Sequence, residues 1–436
     1  MDTPENSQIN SRPQFQKARS TAGTTERIVI VGGGAAGFFA AIACARARPG
    51  NDVRIYERGS HFLTKVRISG GGRCNVTHAA LDPRVFAARY PRGERALLGV
   101  LHRFSAEDTV VWFERHGVRL KTEEDGRIFP ITDSSGTVID CLMFEARAAS
   151  VQLFERTGVE SAVRAENGFA LRLTNGEEIA CDRLLLATGG ARTMSGAQIA
   201  AAFGHAIEPP VPSLFSLHSS TPWLRELSGI AVPDAEVSVV GTKLRERGPV
   251  LITHNGLSGP AILRLSAWGA RELAKLDYKA ALRVDWLPAM NAAAIRTELQ
   301  SRRTAQPKRR VPGSPIAPLP ARLWERLVET AGISSETIWT QLTRVQAESL
   351  IARLKHSEVA VEGKTLNKDE FVTCGGVRLR EVDFRTMESR LVPHLYFAGE
   401  VLDIDGITGG FNFQAAWATG WIAGHAMAEA DLPVIP

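Results

Sequence analysis

The sequence predicts an α/β fold whose main sheet is built from both ends of the chain. Near the N-terminus, residues 27–57 read as strand, glycine-rich turn, small-residue helix and second strand. Near the C-terminus, residues 394–427 again lead from an apolar strand through glycines into a small-residue helix. Residues 191–362 carry short alternating strands and proline-rich breaks, which favour an inserted part with its own sheet.

The N-terminal unit carries the strongest local signal. Its apolar strand, Ile28–Val31, runs into Gly32, Gly34 and Gly37 at G-x-G-x-x-G spacing. At such a turn the first glycine permits the bend, the second lets the backbone approach a pyrophosphate, and the third lets the helix pack on the strand. The helix N-terminus adds free N–H groups and a positive dipole end. Because Glu57 ends the next strand 20 residues past Gly37, where a carboxylate can bind a ribose diol, we predict dinucleotide binding.

Further elements follow in order up to residue 190. A helix is predicted over Ser105–His116, whose first residues are typical of an N-terminal cap, and a hairpin over residues 117–130. A second helix, Val138–Ser150, precedes a meander over Val159–Ile179 with an Asn-Gly turn. The strand Arg183–Leu186 then ends in a Thr-Gly-Gly sequence, at the carboxyl edge of the sheet where ligands bind.

These elements predict a chain divided into several parts. The expected division is a disordered tail over residues 1–26, a main domain formed by residues 27–193 and 363–430, a β-rich insert formed by residues 194–288 and 336–362, and a helical subdomain with a proline-rich basic loop over residues 289–335.

Composition limits the classes of function. The chain has 436 residues, of which 44% are hydrophobic and 23% charged, as expected for a soluble globular protein. It has no run of about 18 apolar residues, so we predict no membrane span. The N-terminus lacks the apolar region of a secretory signal. Five scattered cysteines, none in C-x-x-C spacing, predict neither a disulfide framework nor a metal site and fit a reduced, cytoplasmic setting.

Charge gives a weaker signal. The formal net charge is +5 and the isoelectric point is near 9.0. Part of the excess lies in Arg302-Arg303 and Lys308-Arg309-Arg310, inside a proline-rich stretch. Because no aromatic residue is interleaved there, a solvated loop is favoured over a nucleic-acid patch, and we do not expect nucleic acid as a partner.

The return of the chain to its first domain distinguishes between dinucleotides. A simple NAD dehydrogenase would not need a distant C-terminal strand and helix to complete its cofactor site. One N-terminal fingerprint plus a C-terminal strand ending in Gly399-Glu400 is typical of FAD proteins of the glutathione-reductase type. The fold class is therefore predicted as a split Rossmann-like FAD-binding domain. The sequence holds no second G-x-G-x-x-G, so NAD(P)H is expected only as a transient partner.

Four longer segments together resemble one family. They are Lys65–Asn75 (KVRISGGGRCN), Gly126–Ser134 (GRIFPITDS), Thr253–Leu263 (THNGLSGPAIL) and Leu395–Gln414 (LYFAGEVLDIDGITGGFNFQ). Along Arg27–Met427 the chain is similar to the bacterial YhiN-like or BaiN-like flavoproteins, often called aminoacetone-oxidase-family FAD-binding enzymes. The resemblance implies a split FAD domain, a β-barrel-like insert and a small helical domain. It also implies non-covalent FAD and redox chemistry, without implying one substrate.

The candidate cofactor-binding residues lie in glycine-rich turns, at strand ends and at helix starts. Three glycines followed by Arg73 suggest backbone close to a ligand and a cation near phosphate or flavin. We expect Cys74 to contribute its backbone and keep a free thiol, and Val163 to contact adenine through its backbone. Arg58 either stacks near adenine or is solvated. The full set is Gly32, Gly34, Ala36, Gly37, Glu57, Arg58, Lys65, Ser69, Gly71, Gly72, Arg73, Cys74, Asn75, Val163, Thr188, Gly189, Gly399, Glu400, Asp405, Gly410, Asn412 and Phe413.

His254 is the candidate acid–base residue. It lies in Thr253–Pro260, which is predicted as a turn entering a helix. A histidine titrates in the range needed to give or take a proton over the flavin. The alternative is that His254 only caps the turn.

The predicted function is an FAD-dependent oxidoreductase that exchanges a hydride between flavin N5 and a small organic molecule, with NAD(P)H or oxygen as the other redox partner. One alternative is an FAD-containing nucleic-acid-modifying or RNA-binding protein, suggested by the basic isoelectric point and the cluster at Lys308-Arg309-Arg310. The other is a flavin-binding protein without catalysis. The oligomeric state is not predicted.

Overall fold

A parallel ladder that uses both ends of the chain organises the first hydrophobic core. The computed structural model describes residues 25–80, 82–190, 195–365 and 372–429. Most of the predicted tail lies outside these residues, but Glu26 is described and its carboxylate accepts two hydrogen bonds from the Arg183 guanidinium, each of 3.0 Å. The elements of the first part are β1 (Arg27–Val31), α1 (Ala35–Ala47), β2 (Asp52–Tyr56), α2 (Thr64–Gly72), β3 (Thr77–His78), α3 (Pro83–Ala87), α4 (Glu94–Leu101), α5 (Ala106–Arg115), β4 (Leu120–Thr122), β5 (Arg127–Pro130), α6 (Ser135–Ala148), β6 (Gln152–Phe154), β7 (Val159–Ala165), β8 (Gly168–Leu173), β9 (Glu178–Cys181), β10 (Arg183–Leu186) and α7 (Ser195–Ala202).

A second set of elements forms a separate core, and the chain then returns to the first. The second set is β11 (Ile207–Ser213), β12 (Ser216–His218), α8 (Pro222–Arg225), β13 (Ala231–Val239), β14 (Arg245–Thr253), β15 (Gly256–Ser258), α9 (Pro260–Trp268), α10 (Ala270–Lys275), β16 (Ala280–Asp285), α11 (Ala292–Ala305), α12 (Ala321–Thr330), α13 (Arg344–Lys355), β17 (Ser357–Val361) and β18 (Gly363–Thr365). The returning elements are β19 (Val372–Val377), β20 (Val382–Asp383), β21 (Glu388–Ser389), β22 (Leu395–Phe397) and α14 (Phe411–Met427). Short 3-10 helices lie at Trp339–Gln341, Leu379–Glu381 and Gly399–Val401.

The main sheet confirms the predicted α/β fold. Its parallel strands pair in the order β6-β2-β1-β10-β22, and β21 and β20 continue it in antiparallel pairing. The C-terminal strand β22 lies beside β10, with Leu185 opposite Tyr396. The short strands of this ladder are almost wholly apolar and buried, as is typical of a parallel sheet covered on both faces. The Rossmann-type domain is therefore split between the two ends of the chain.

The second sheet curls until the ends of its two edge strands meet. Its strand order is β17-β16-β13-β14-β15-β12-β18, so β17 and β18 lie at opposite ends of the order. Yet only Glu362 separates the last residue of β17 from the first residue of β18. Since neighbouring strands lie about 4.8 Å apart, a flat sheet of this order would place those two edges about 29 Å apart. The sheet must therefore curl, and the Glu362 N–H donates to the His218 carbonyl at 3.0 Å across the closure. This is the barrel-like insert.

The local predictions in the first part are largely confirmed. The helix expected over Ser105–His116 is α5, and Ser105 and Asp108 form a reciprocal capping box at its start. The hairpin is β4–β5, the meander is β7–β8–β9, and the helix expected from Val138 is α6. The glycine-rich loop differs at its start, because residues 64–68 form a helical turn before the backbone leaves helical geometry at Ser69. None of the helices in the described part of the chain is long and apolar enough to cross a lipid bilayer.

The helices α1 and α14 pack closely because small residues face each other. A Cβ atom added at Gly420 would lie 2.4 Å from the Ala36 carbonyl oxygen, and one added at Gly424 would lie 2.4 Å from the Ala40 carbonyl oxygen. Side chains larger than hydrogen would therefore separate the two helices. Both helices are almost wholly buried. This contact fixes the C-terminal helix against the N-terminal βαβ unit.

We predict that Gly420→Ala lowers the free energy of unfolding by about 1–3 kcal/mol, because the added methyl group overpacks the contact with α1. The matched control is Gly99→Ala in α4, where an added Cβ would meet no described atom within 4 Å. That change should raise the free energy of unfolding by up to about 1 kcal/mol, through helix propensity alone. Urea unfolding of both variants measures the difference, and equal stabilities would contradict the packing role of Gly420.

Candidate functional site

The N-terminal glycine turn contains two packing glycines and one open glycine. Gly32 has φ +108°, and a Cβ atom there would lie 2.4 Å from the Ala187 carbonyl oxygen. A Cβ atom at Gly37 would lie 2.1 Å from the Gly32 carbonyl oxygen. At Gly34, by contrast, a Cβ atom would meet no heavy atom of the described chain within 4 Å, although its φ of −93° suits any residue. The chain therefore leaves room beside Gly34, at the start of α1.

Two long buried helices begin without a side-chain cap at this edge of the sheet. Gly34 precedes α1 and Gly410 precedes α14, and neither helix has an acidic residue in its first turn. Other helices of the chain, such as α5 and α13, carry capping boxes built by Ser105 and Thr343. Uncapped helix N-termini offer backbone N–H donors and a positive dipole end. Both positions suit an anionic or strongly polar ligand.

Glu57 lies against the glycine turn at the end of β2. Its carboxylate oxygens accept hydrogen bonds from the Gly33 N–H at 2.8 Å and the Gly59 N–H at 2.6 Å. A carboxylate oxygen has further lone-pair capacity, so each can also accept a ribose hydroxyl. Arg58 is exposed and packs beside Gly158, where an added Cβ atom would lie 2.9 Å from the Arg58 Cβ.

Val163 lies farther along the meander. Its side chain is 60% exposed and its backbone pairs with Ala170 in β7–β8. Just before this strand, the Thr157 N–H donates to the Glu57 carbonyl at 2.8 Å. Val163 lies six positions further along the chain, a distance of at most about 20 Å in extended geometry. The adenine contact of Val163 stays a prediction.

The second glycine-rich segment forms an open turn after α2. Gly71 and Gly72 have φ of +69° and +85°, and a Cβ atom at either would meet no described atom within 4 Å. The Cys74 N–H donates to the Ser69 carbonyl at 3.0 Å and closes the turn. Burial raises the pKa of the Cys74 thiol to about 12, so this sulfur stays protonated at neutral pH. All five cysteines are buried and free.

Arg73 and Asn75 are held by different neighbours. The Arg73 guanidinium lies 3.9 Å from the centroid of the Phe129 ring and donates to Glu123 at 2.6 Å, so its charge is largely compensated. With the Asn75 amide oriented to satisfy its neighbours, its oxygen accepts from the Gly410 N–H at 3.0 Å and its nitrogen donates to the Thr77 carbonyl at 3.0 Å. Asn75 therefore joins the open turn to the start of α14.

Glu400 brings the two ends of the chain together. Its carboxylate pairs with the Lys65 ammonium at 2.5 Å and accepts from the Thr373 N–H at 2.8 Å. Thr188, Gly189 and Glu400 line one cavity. Gly399 lies behind them, and a Cβ atom there would lie 3.0 Å from the Ala36 Cβ. The C-terminal strand end is therefore in contact with the first turn of α1.

The same cavity is lined by residues that the sequence prediction missed. They are Thr373, Gly375 and Gly376 in β19. Gly375 and Gly376 have φ of +116° and +141°, and an added Cβ would meet the backbone of Pro209 in the first case and of Val401 in the second. The Gly-Gly pair at the end of an apolar strand was the available signal. The lining residues are Thr188, Gly189, Gly190, Ala197, Ile207, Pro210, Thr373, Gly375, Gly376, Glu400 and Val401.

The predicted residues at the start of α14 have structural partners. Asn412 accepts from the Gly406 N–H at 2.8 Å and donates to the Gly406 carbonyl at 3.0 Å. Asp405 is fully buried, and its carboxylate is held by Arg92 at 2.5 Å and by the Ser213 hydroxyl at 2.7 Å. A ligand contact through the Asp405 carboxylate would have to displace these partners. The Phe413 ring is stacked on the Trp417 indole, with ring centroids 5.5 Å apart.

His254 lies apart from these groups in the described hydrogen-bond network. It is exposed in the two-residue turn between β14 and β15, so it stands in a hairpin and not directly before α9. The Thr253 hydroxyl accepts from the Asn255 N–H at 3.3 Å and braces this turn, which places the capping role on Thr253. Among the described residues, no hydrogen bond joins His254 to a cofactor candidate. Its acid–base role stays a prediction.

The fold and the site together define an α/β dinucleotide-cofactor protein with a split Rossmann-type domain and an inserted barrel. The sequence matches the family described as HI0933-like protein Rossmann domain over residues 26–426. The chain belongs to this family of FAD-dependent oxidoreductases.

Relatives with different substrates align with almost the whole chain. A 3-dehydro-bile acid delta(4,6)-reductase from Clostridium scindens is 32% identical over 414 residues, which is 92% of this chain and 99% of the relative. A ribosomal RNA dihydrouridine synthase from Escherichia coli is 34% identical over 405 residues, which is 90% of this chain and 96% of the relative. Among solved structures, a 3-ketosteroid-delta4-(5alpha)-dehydrogenase from Rhodococcus jostii RHA1 is similar at a TM-score of 0.49 and 15% identity, covering 95% of this chain and 99% of that chain.

We predict that Gly34→Ala weakens FAD binding about tenfold or more while leaving the apoprotein as stable as the unchanged chain to within about 0.5 kcal/mol. The reason is that the added methyl group fills space that the chain leaves empty beside the α1 N-terminus, where a pyrophosphate binds in this motif. Flavin fluorescence during titration measures the affinity, and urea unfolding measures the stability.

The matched variant is Gly37→Ala, three residues along the same motif. Its methyl group would collide with the Gly32 carbonyl oxygen, so we expect a loss of about 1–3 kcal/mol of apoprotein stability. Wild-type FAD affinity in Gly34→Ala would show that the ligand does not approach this glycine.

Proposed function

We propose that the protein uses reduced FAD to saturate a carbon–carbon double bond that is conjugated to a carbonyl group. The observation that carries this proposal is the pair of whole-chain relatives, whose names describe different molecules and one chemical change. In a 3-dehydro bile acid, double bonds at positions 4 and 6 are conjugated to the 3-oxo group. Dihydrouridine is uridine with its C5–C6 bond saturated, and that bond is conjugated to the C4 carbonyl.

The residues around the two helix N-termini are proposed to hold the cofactor. The start of α1 beside Gly34 suits the pyrophosphate, and Glu57 suits the adenosine ribose. The open turn at Gly71 and Gly72 and the start of α14 suit the flavin end. Bound FAD supplies two-electron hydride chemistry. The positive end of the α14 dipole would favour the negative charge gained on reduction.

The overall reaction balances with a nicotinamide donor. The substrate gains a hydride at the carbon β to its carbonyl and a proton at the α carbon. NADH or NADPH then restores to the flavin the two electrons that it has given to the substrate. We propose that this nucleotide binds transiently, because the sequence holds no second G-x-G-x-x-G unit.

We predict the following behaviour in the absence of oxygen. NADH or NADPH should bleach the oxidised flavin band of the FAD-loaded protein. After the excess nicotinamide has been removed, the reduced protein should regain that band when a conjugated enone is added. A ketone with an isolated double bond is the matched control, since it lacks the conjugation that lets the β carbon accept hydride. Equally fast recovery with the isolated alkene, or no recovery with the enone, would contradict the proposal.

His254 is the proposed proton donor to the α carbon. We predict that His254→Ala leaves FAD affinity and the rate of flavin reduction by NAD(P)H unchanged but slows enone-driven reoxidation about 100-fold, within the range for general acids. His102→Ala, which removes another exposed histidine in the first part of the chain, is the control. Stopped-flow absorbance separates the two half-reactions, and an unchanged reoxidation rate would remove His254 from the mechanism.

A uridine within RNA is the second candidate substrate. It is favoured by the relative named as a ribosomal RNA dihydrouridine synthase and by the uneven charge of the chain. Residues 214–365 hold 21 Lys and Arg against 14 Asp and Glu, a net charge of +7, whereas the rest of the chain holds 31 against 33, a net charge of −2. A positive insert beside a redox domain suits a polyanion better than a neutral enone. Mass spectrometry of RNA treated with the reduced protein would detect a gain of two hydrogen atoms per modified uridine.

A further inference from the structure

The basic segment, residues 302–310 (RRTAQPKRR), is the most concentrated positive charge in the insert. It holds five Lys and Arg and no acidic residue. It covers the last turn of α11 and the turn that follows it. Every residue from 303 to 310 is exposed. The charge is therefore presented to solvent as one continuous stretch.

The basic segment is anchored to the core at both ends. At its start the Arg302 guanidinium points inward, where it donates to the Ser314 carbonyl and to Glu298 at 2.6 and 2.7 Å. Beyond its end Val311 is fully buried, and the Trp324 indole N–H donates to the Val311 carbonyl at 2.9 Å. The backbone that carries the outward cations is therefore held in place, which reduces the conformational entropy lost when a partner binds.

The outward cations are only weakly engaged by the chain itself. Arg303 donates to the Thr340 carbonyl at 3.1 Å, and Arg309 donates to the Gln306 side chain at 3.2 Å. These acceptors are neutral and leave the positive charge uncompensated. Arg310 pairs with Glu336 at 2.6 Å, and that pair is exposed on both sides.

The surrounding helices do not cancel this charge. Arg296 on α11 pairs with Glu348 on α13 through two hydrogen bonds of 2.7 and 2.8 Å. Arg344, at the exposed start of α13, adds a further cation near Glu348. The surface made by the basic segment with Arg296 and Arg344 therefore remains positive after its carboxylates are counted.

The composition of the segment selects the kind of contact. It contains no aromatic residue on which a base could stack, which from the sequence alone favours a solvated loop. The structure adds that its outward cations are exposed and bonded to neutral acceptors, and such guanidinium and ammonium groups match phosphate oxygens. We propose that residues 303–310 dock the phosphate backbone of an RNA, while the uracil to be reduced is selected at the cofactor site in the first core. This inference rests on the RNA form of the proposed function.

The test compares two triple variants of the full-length, FAD-loaded protein. The first, Arg303→Ala with Lys308→Ala and Arg309→Ala, removes the weakly engaged cations and spares Arg302 and Arg310. The control, Arg172→Ala with Arg245→Ala and Lys279→Ala, removes the same charge from side chains that are 63%, 69% and 67% exposed elsewhere. The probe is an unmodified transcript of bacterial ribosomal RNA, and binding is measured by filter retention at several salt concentrations.

We expect the first variant to bind the transcript about tenfold or more weakly in 0.1 M salt. The slope of log K against log salt should fall in magnitude by about 2, as expected when three cations leave a single-stranded backbone. The control should keep affinity and slope near those of the unchanged protein. Both variants should keep the rate of flavin reduction by NAD(P)H, because no changed residue lies among the cofactor candidates.

Three outcomes would overturn the docking role. The first is an equal loss of affinity in both variants, and the second is no binding of the transcript by the unchanged protein. The third is that the unchanged protein binds vesicles of anionic phospholipid as tightly as the transcript and that the first variant loses this binding too. The proposed reduction is judged separately, by reoxidation of the flavin with a small enone. Binding of the transcript that depends on the basic segment, without formation of dihydrouridine, would support docking while contradicting reduction of RNA.

Discussion

The close contact between α1 and α14 is the constraint on which the rest of the site depends. Gly420 and Gly424 let the backbones of the two helices approach, and β22 beside β10 holds the same segment from the other side. As a result Gly399 packs on Ala36, and both uncapped helix N-termini open at one edge of the sheet. The effect of a helix dipole falls off within the first turn. One ligand can therefore contact both N-termini only if the distance between α1 and α14 is kept.

A buried ion pair between Arg92 and Asp405 connects this part of the first core to the insert. Asp405 lies just before the loop that begins α14, and its carboxylate is bound by Arg92 and by Ser213 at the end of β11. Arg92 also donates to the Ala267 carbonyl in α9 at 2.6 Å. Breaking such a pair on one side leaves an uncompensated buried charge, so the arrangement has one favoured geometry. These bonds therefore attach the barrel to the same loop that positions the C-terminal helix.

The sequence identified the parts of the site that depend on local pattern. The roles of Gly32 and Gly37 follow from spacing and correspond to the backbone contacts in the structure. The partners of Asp405 could not be read in this way, because Arg92 lies 313 residues away and carries no local signal. The same holds for Lys65 and Glu400, which are 335 residues apart. Closure of the barrel was expected only from the family resemblance, since no local pattern shows that β17 and β18 meet opposite edges.

Separation of charge from redox chemistry gives a physical reason why one fold can serve unlike substrates. The groups proposed to hold FAD lie in the first core and depend on glycines and helix ends, which have little freedom to change. The positive residues lie on the exposed surface of the insert, where substitution of Arg303 or Lys308 disturbs no buried contact. A preference for a charged or a neutral partner can then arise on the insert surface, while the group to be reduced is still recognised at the cofactor site. Under the RNA form of the proposed function, the net charge of +7 on residues 214–365 would attract the polyanion to the insert.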